Sequence, residues 1–414
     1  MSIMNIDKND IYLLEGPANL QVQEGLVEVV GARIKKNGSM EIPRGKTLPV
    51  EALENSSIQL EGHDGEIEEL QERSIPPSWD ELVEELQADR AETVLVLGEM
   101  DTGKTFFSTY LTNRLLEDFD GVGVMDCDLG QSDIGPPGTI GLTTVNEPTV
   151  ALDIVPWDEL VFTGAHSPGL HMVPFLSGVR HLADRALDSV ETLIVDTTGW
   201  VQGDGGRTIK QGKIDVLDPD KIVMLQKDQE LEHLVCSVSE QRVKRVKVSD
   251  KVSPTPPSER KGLRERNMKN YMKEASLKTL DLDNFGLERV YLGTGQELDL
   301  DYPEILHAEK LSAWEGVLAV IDGELSGEAI QELSEYGQIR TIKPGIEKGL
   351  LVGFTTEHDD CKGLGIIEEL DYENKILKVH TPLDNPQAAH RVQFGSLRYE
   401  PDGTEAGFIE PGKI

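Results

Sequence analysis

Gly98-Glu99-Met100-Asp101-Thr102-Gly103-Lys104-Thr105 is a complete G-x-x-x-x-G-K-[ST] loop. The apolar run Thr93-Val94-Leu95-Val96-Leu97 precedes it and reads as a buried strand. Phe106, Phe107, Tyr110, Leu111 and Leu115 follow at helical spacing. A glycine turn between strand and helix turns backbone N–H groups towards phosphate oxygens, and the helix N-terminus adds partial positive charge. Residues Gly98 to Phe106 are therefore expected to cradle a nucleoside triphosphate. Lys104 would reach the β- and γ-phosphates, and the Thr105 hydroxyl would ligate Mg²⁺.

Two further segments place acids at strand ends. Gly121-Val122-Gly123-Val124-Met125 leads into Asp126-Cys127-Asp128-Leu129-Gly130-Gln131, and Leu193-Ile194-Val195 leads into Asp196-Thr197-Thr198-Gly199-Trp200. Carboxylates beside a phosphate loop suit a metal ion or a proton acceptor for a nucleophile. Trp200 follows a glycine in a polar loop at this edge, which suits a stacking surface for a base; a core tryptophan is the plainer alternative.

The chain carries a formal net charge of −35, which suggests adaptation to salt and repels free nucleic acid over most of the surface. One stretch is the exception. From Arg242 to Lys273 there are eleven basic residues against three acidic ones. Its middle, Ser253-Pro254-Thr255-Pro256-Pro257-Ser258, reads as a turn, and Arg260 to Lys273 as a helix. On a helix Arg260 and Arg264 share a face. They could close over a triphosphate and stabilise charge on the transferring phosphoryl group, or contact a nucleic-acid backbone.

Elements that must hold these residues follow from the pattern. Residues 1–75 read as a small β module, with Val22, Val27 and Val29 in alternating runs broken at Gly16-Pro17, Gly25 and Asn37-Gly38. Ser78 and Glu81 suggest a capping box that opens a helix through Leu82, Val83 and Leu86. Residues 76–290 alternate strands and helices, which predicts an α/β P-loop core with a parallel sheet, a lid around 253–273, and the active edge at the strand C-termini. Residues 291–414 read as a C-terminal β-rich domain. Cys127, Cys236 and Cys361 are too few and too scattered for a disulfide framework or a zinc site. No apolar run is long enough to span a membrane, and the polar N-terminus is unlike a signal peptide. A soluble, cytoplasmic protein is expected.

Taken in order, these motifs resemble the polynucleotide 5′-hydroxyl kinase family of the Clp-one/Grc-three type, over most of the chain. The loop at Gly98–Thr105 matches. Asp126–Gln131 is similar to the family's D-x-D-x-G-Q, and Pro136-Pro137-Gly138-Thr139 continues it. Gly164-Ala165-His166-Ser167-Pro168-Gly169 resembles the clasp over the substrate strand, with serine where threonine is common. Asp196–Trp200, continuing to Gly203-Asp204-Gly205, resembles the T-x-G-W-x-x-G-x-G segment, and Arg260–Arg266 the arginine lid.

The resemblance implies an ATP- and Mg²⁺-dependent kinase for the 5′-hydroxyl end of RNA or DNA, with RNA-processing protein partners. It gives phosphates to Lys104, metal to Thr105, Asp126 and Asp196, and the hydroxyl proton to Asp128. Gln131, Ser167, Pro168, Gly169 and Trp200 would hold the substrate end, and Arg260 and Arg264 would form the lid. The family's lid arginines lie five residues apart; here the spacings are four and six, so Arg264 and Arg266 compete for the second place. A catalytically silent ATP-bound scaffold is the rival, but it would have no need of the lysine, acids and arginines together. A switch GTPase would need N-K-x-D where this chain has Gln226-Lys227-Asp228-Gln229.

Overall fold

The computed structural model describes residues 2–251 and 256–414. Residues 253–255, at the start of the expected lid, lie outside the described residues. Two compact units divide the chain: residues 1–128, 141–158 and 179–255 in the first, and 129–140, 159–178 and 256–414 in the second.

The first unit is built on a central sheet. Six of its seven strands are β1 (Thr93–Gly98), β2 (Val122–Cys127), β3 (Thr139–Val145), β4 (Leu193–Thr197), β5 (Lys221–Gln226) and β6 (Val243–Lys247), in the order β3-β2-β4-β1-β5-β6. Every residue of β1, β2, β4 and β5 is buried, as expected of parallel strands covered on both faces. Strand β3 departs from the parallel expectation by running antiparallel to β2.

Strand β6 corrects the reading of the basic stretch as one feature. Val243 and Val246 point into the core, while Lys244 pairs with Glu85, Arg245 with Glu232 and Glu240, and neighbouring Arg242 with Asp218. These cations neutralise local carboxylates beside a strand that ends the sheet. The later half of the stretch is a helix, as its pattern implies.

Helix α1 (Pro77–Asp89) buries Trp79, Leu82, Val83 and Leu86, as its spacing implies. It begins one residue before Ser78, so the capping box does not form. Pro76 occupies the cap position and Pro77 the first turn, where a missing N–H costs nothing. The Ser78 hydroxyl instead accepts from Lys247 N at 3.2 Å. Trp79 donates from Nε1 to Lys247 O at 2.8 Å and packs edge-on against Phe107 of helix α2 (Lys104–Leu115).

Nine strands lie between Ser2 and Leu70, in sheets of four and five. Val22, Val27 and Val29 are wholly buried there. The module is pinned to α2 by polar contacts. Asn113 Nδ2 donates to Val30 O and Thr149 O at 2.7 Å each, and Arg114 lies 3.7 Å from the buried Glu28 carboxylate. Burial pushes the Glu28 carboxyl up, against Arg114 and Arg73, which pull it down.

The second unit centres on another sheet. Its strands are β7 (Ser276–Asp281), β8 (Gly286–Glu288), β9 (Leu350–Thr355), β10 (Cys361–Asp371), β11 (Ile376–Thr381), β12 (Arg391–Tyr399) and β13 (Glu405–Phe408). The order is β7-β11-β10-β9-β12-β8, with β13 on β12. A smaller four-stranded sheet spans residues 296–342. Helix α3 (Gly203–Leu217) belongs to the first unit and helix α4 (Pro257–Tyr271) to the second. Met268 of α4 and Met272 beyond it share one core with Phe162, Leu351, Leu364, Ile366, Leu397 and Tyr399. Burying side chains of this size stabilises by about 1.5–3 kcal/mol each. That fixes α4 to the sheet. No described helix is long and apolar enough to cross a membrane.

Candidate active site

In the first unit the phosphate loop has the expected shape. Asp101 (φ 57°) and Gly103 (φ 77°) are left-handed, and Gly103 caps the start of α2. Lys104 is 8% exposed, and its Nζ donates to Glu99 O at 2.7 Å; Thr102 Oγ1 donates to the same carbonyl at 2.9 Å. Burial pulls the Lys104 ammonium below the ordinary lysine range, while Asp196, Asp128 and Asp101 oppose that.

Strands β2 and β4 pair in register, Asp126 opposite Asp196, so both acids end adjacent strands. Both are buried, at 4% and 3% exposed. The Asp196 carboxyl is pushed up by burial, and pulled back by Lys104 and by a hydrogen bond from Thr105. Asp126 Oδ1 accepts from Asp128 N at 2.8 Å, which turns the chain beyond the strand and leaves Asp128 half-buried. Thr105, Asp126 and Asp196 offer hard oxygen donors, and the donor set fits Mg²⁺.

The Trp200 turn is set against the same loop. A Cβ on Gly199 would lie 2.5 Å from Met100 Cα, so only glycine allows this approach. A Cβ on Gly205 would lie 2.4 Å from the Trp200 ring, so the indole rests on the glycine floor of α3. Trp200 is half-buried, neither a core residue nor a free one. Gln202 Nε2 donates to Glu99 Oε1 at 2.7 Å, a second tie from this turn to the phosphate loop.

Sequence reasoning missed two lysines on α3. Lys210 is 0% and Lys213 1% exposed. Lys210 Nζ donates to Thr197 Oγ1 at 2.8 Å and to Thr198 O. Burial pulls its ammonium far below the ordinary range, and Lys213 and Lys104 add repulsion. A signal existed: Gly206, Lys210, Lys213 and Leu217 follow the i, i+4, i+7, i+11 spacing of a single helix face.

In the second unit the clasp and the expected lid share a mount. Gly164 O accepts from Ser396 N at 2.8 Å, and a Cβ on Gly164 would lie 2.5 Å from Gly395 Cα. His166 Nε2 meets Tyr399 Oη at 2.7 Å, and His171 Nε2 meets Ser396 Oγ at 2.9 Å. Ser167 and Gly169 stay exposed while Pro168 is buried, in a single turn (Pro168–Leu170) that Ser167 caps. On α4, Arg264 is bidentate to Glu405 of β13, Nε to Oε1 at 2.6 Å and Nη2 to Oε2 at 3.3 Å. Glu405 also lies 3.8 Å from His166 Nε2. Asn267 Nδ2 donates to Ser132 O at 3.2 Å, just past the half-buried Gln131. Arg260 is half-buried and Arg266 exposed.

This mount makes a pH prediction. The pKa values of His166 and His171 are both pulled down to about 4, each chiefly by burial, with Arg264 and Arg289 respectively adding repulsion. Both are neutral when folded at pH 7. An unfolded histidine takes its proton near pH 6.5, so stability is full above that and is lost as pH falls towards 4. Between pH 7 and 4.5 each histidine should cost roughly 2 kcal/mol. Denaturant melts of wild type and the His166→Gln/His171→Gln variant should therefore diverge in pH slope. Equal slopes would mean that these rings are not held neutral.

Residues 98–274 match the family described as the mRNA cleavage and polyadenylation factor CLP1 P-loop. A polyribonucleotide 5′-hydroxyl-kinase of Pyrococcus abyssi is 27% identical over 77% of this chain and 90% of that one. One from Methanocaldococcus jannaschii is 29% identical over 78% and 91%. The fold superimposes on Clp1p, solved in a complex with Pcf11p, with a TM-score of 0.66 at 14% identity, over 96% of this chain and 98% of that one. Residues 98–274 are thus similar to the CLP1 P-loop family, and the archaeal relatives that span most of the chain carry the name polyribonucleotide 5′-hydroxyl-kinase.

Proposed function

We propose that this protein is an ATP- and Mg²⁺-dependent kinase for the 5′-hydroxyl end of RNA, with DNA ends as a second substrate class. The observation that carries the reading is one unit holding a phosphate-loop lysine, three strand-end carboxylates and a half-buried indole together. The names of the archaeal relatives support it.

The mechanism is positioning and charge neutralisation. Lys104 holds the donor phosphates. Thr105, Asp126 and Asp196 would hold Mg²⁺, which when bound neutralises charge on the phosphates. Asp128 accepts the proton of the 5′-hydroxyl as that oxygen bonds to the γ-phosphorus and the bond to the ADP oxygen breaks. Trp200 stacks on the terminal base, while Gln131 and Ser167-Pro168-Gly169 hold the strand end. Arg260 and Arg264 act as the lid. The reading implies a cytoplasmic protein with RNA-processing partners.

The deciding experiment offers labelled ATP or GTP to matched RNA and DNA oligonucleotides with 5′-hydroxyl ends. Label should appear on the oligonucleotide with ATP and RNA; a chain that binds ATP yet labels neither end would be a scaffold. Trp200→Ala should weaken oligonucleotide binding by about 1–3 kcal/mol and spare ATP binding, and Trp200→Phe should recover part of the loss. A large melting loss with unchanged oligonucleotide affinity would instead make Trp200 a structural residue.

A further inference from the structure

A fully buried ammonium is a costly thing to keep in a helix face. Its desolvation amounts to several kcal/mol, and an apolar side chain of similar volume is often as stable or more so. Lys210 stands on the sheet-facing side of α3, between buried Ile209 and Ile214. Its acceptors all lie on one turn: Thr197 Oγ1 at 2.8 Å, Thr198 O, and Thr198 Oγ1 at 3.5 Å. Thr197 Oγ1 in turn donates to Val96 O of β1 at 2.8 Å, and Thr198 Oγ1 faces Trp200 N at 3.4 Å. The helix that brings the ammonium to one side of the turn also supplies Gly205 and Gly206 beneath the indole. The Trp200 turn is thus gripped at both ends by one rigid element.

We propose that Lys210 is a positioning residue for the substrate end: it locks the Thr197–Trp200 turn so that the indole presents a fixed face to the 5′-terminal base. This rests on the kinase reading and on Trp200 as the base platform. Lys210 touches neither substrate nor phosphate in this role. It lowers the freedom of the platform before binding, which strengthens binding without new contacts.

The test reads the platform first without substrate. Protein labelled with 5-fluorotryptophan has four tryptophan resonances, and Trp200→Phe identifies one. In Lys210→Met that resonance should shift and broaden while the other three stay. Affinity for a 5′-hydroxyl RNA oligonucleotide should fall about tenfold, with ATP affinity within twofold of wild type. An oligonucleotide whose 5′-terminal nucleotide is abasic should bind wild type and Lys210→Met alike, since no base is there to stack. Lys210→Met combined with Trp200→Ala should bind no more weakly than Trp200→Ala alone. If Lys210→Met does not fold, Thr198→Val, an isosteric change that removes the hydroxyl facing both groups, should give the same pattern at smaller size.

An unmoved Trp200 resonance overturns the proposal. So does an affinity loss that persists on the abasic end, or one that adds to that of Trp200→Ala. A wild type that neither transfers phosphate nor binds the oligonucleotide sinks the kinase reading instead, and the fluorine line still decides whether Lys210 holds the turn.

Discussion

Lys104→Ala should abolish phosphate transfer and leave the fold in place. The lysine is buried in the phosphate loop, with Asp196, Asp128 and Asp101 as its electrostatic neighbours. Its Nζ is satisfied by Glu99 O, and that carbonyl keeps a second donor in Thr102 Oγ1 when the lysine is gone. The loop therefore has an anchor that the substitution does not remove. Charge stabilisation at the phosphates has no such reserve. Removing a single preorganised donor costs on the order of 10²–10³ in rate, and a lysine reaching two phosphates supplies more than one. The measurement is labelled phosphate on a 5′-hydroxyl oligonucleotide, with a thermal melt beside it. Label at the wild-type rate would remove this loop from the reaction. A collapsed melt would show that the lysine is needed to balance the buried acids.

Legibility in the sequence followed how local each feature is. The phosphate loop spans eight consecutive residues with its strand and helix attached, and β1 and α2 lie within two or three residues of where the pattern puts them. The buried strands β2, β4 and β5 were readable as continuous apolar runs, for the same reason that they are parallel and covered. Local rules also compete. Ser78 looked like a helix cap, but Pro76 and Pro77 start the helix earlier and leave its hydroxyl to Lys247. Charge counting alone does not show that Arg242, Lys244 and Arg245 neutralise carboxylates beside an edge strand, in a different unit from Arg260 and Arg264. Long-range partners left no trace. Glu405 is 141 residues from Arg264, and Tyr399 is 233 from His166. Nothing near either residue announces a partner that only sheet pairing brings close. Lys210 and Lys213 give little signal, because lysine on a helix is solvated by default.

The proposed arginine lid yields the second large effect, and its two candidates differ in their surroundings. Arg264 and Arg266 are two residues apart on α4, about 160° apart around the helix axis. Arg264 turns towards Glu405 and Gly130, while Arg266 is exposed. Arg264 is therefore the residue expected to act with Arg260. An arginine stabilising a transferring phosphoryl group is worth about 10³–10⁵ in rate, or roughly 4–7 kcal/mol. A surface ion pair is worth about 1 kcal/mol at most. Arg264→Ala should cut single-turnover transfer by at least about 10³, with a smaller loss of oligonucleotide affinity, and Arg266→Ala should do little.

Arg264→Ala also breaks the pair with Glu405, so a purely structural loss must be told apart. Glu405→Gln weakens the same pair but keeps the guanidinium. If the rate loss came from a loosened α4, the two variants would fall together. If the guanidinium acts on phosphoryl charge, Glu405→Gln should keep most of the transfer rate, because Met268 and Met272 still hold the helix to the sheet. Arg264→Ala at the wild-type rate would show that α4 supplies no catalytic arginine at this position. Arg266→Ala with the larger loss would show that the helix turns its other face to the reaction.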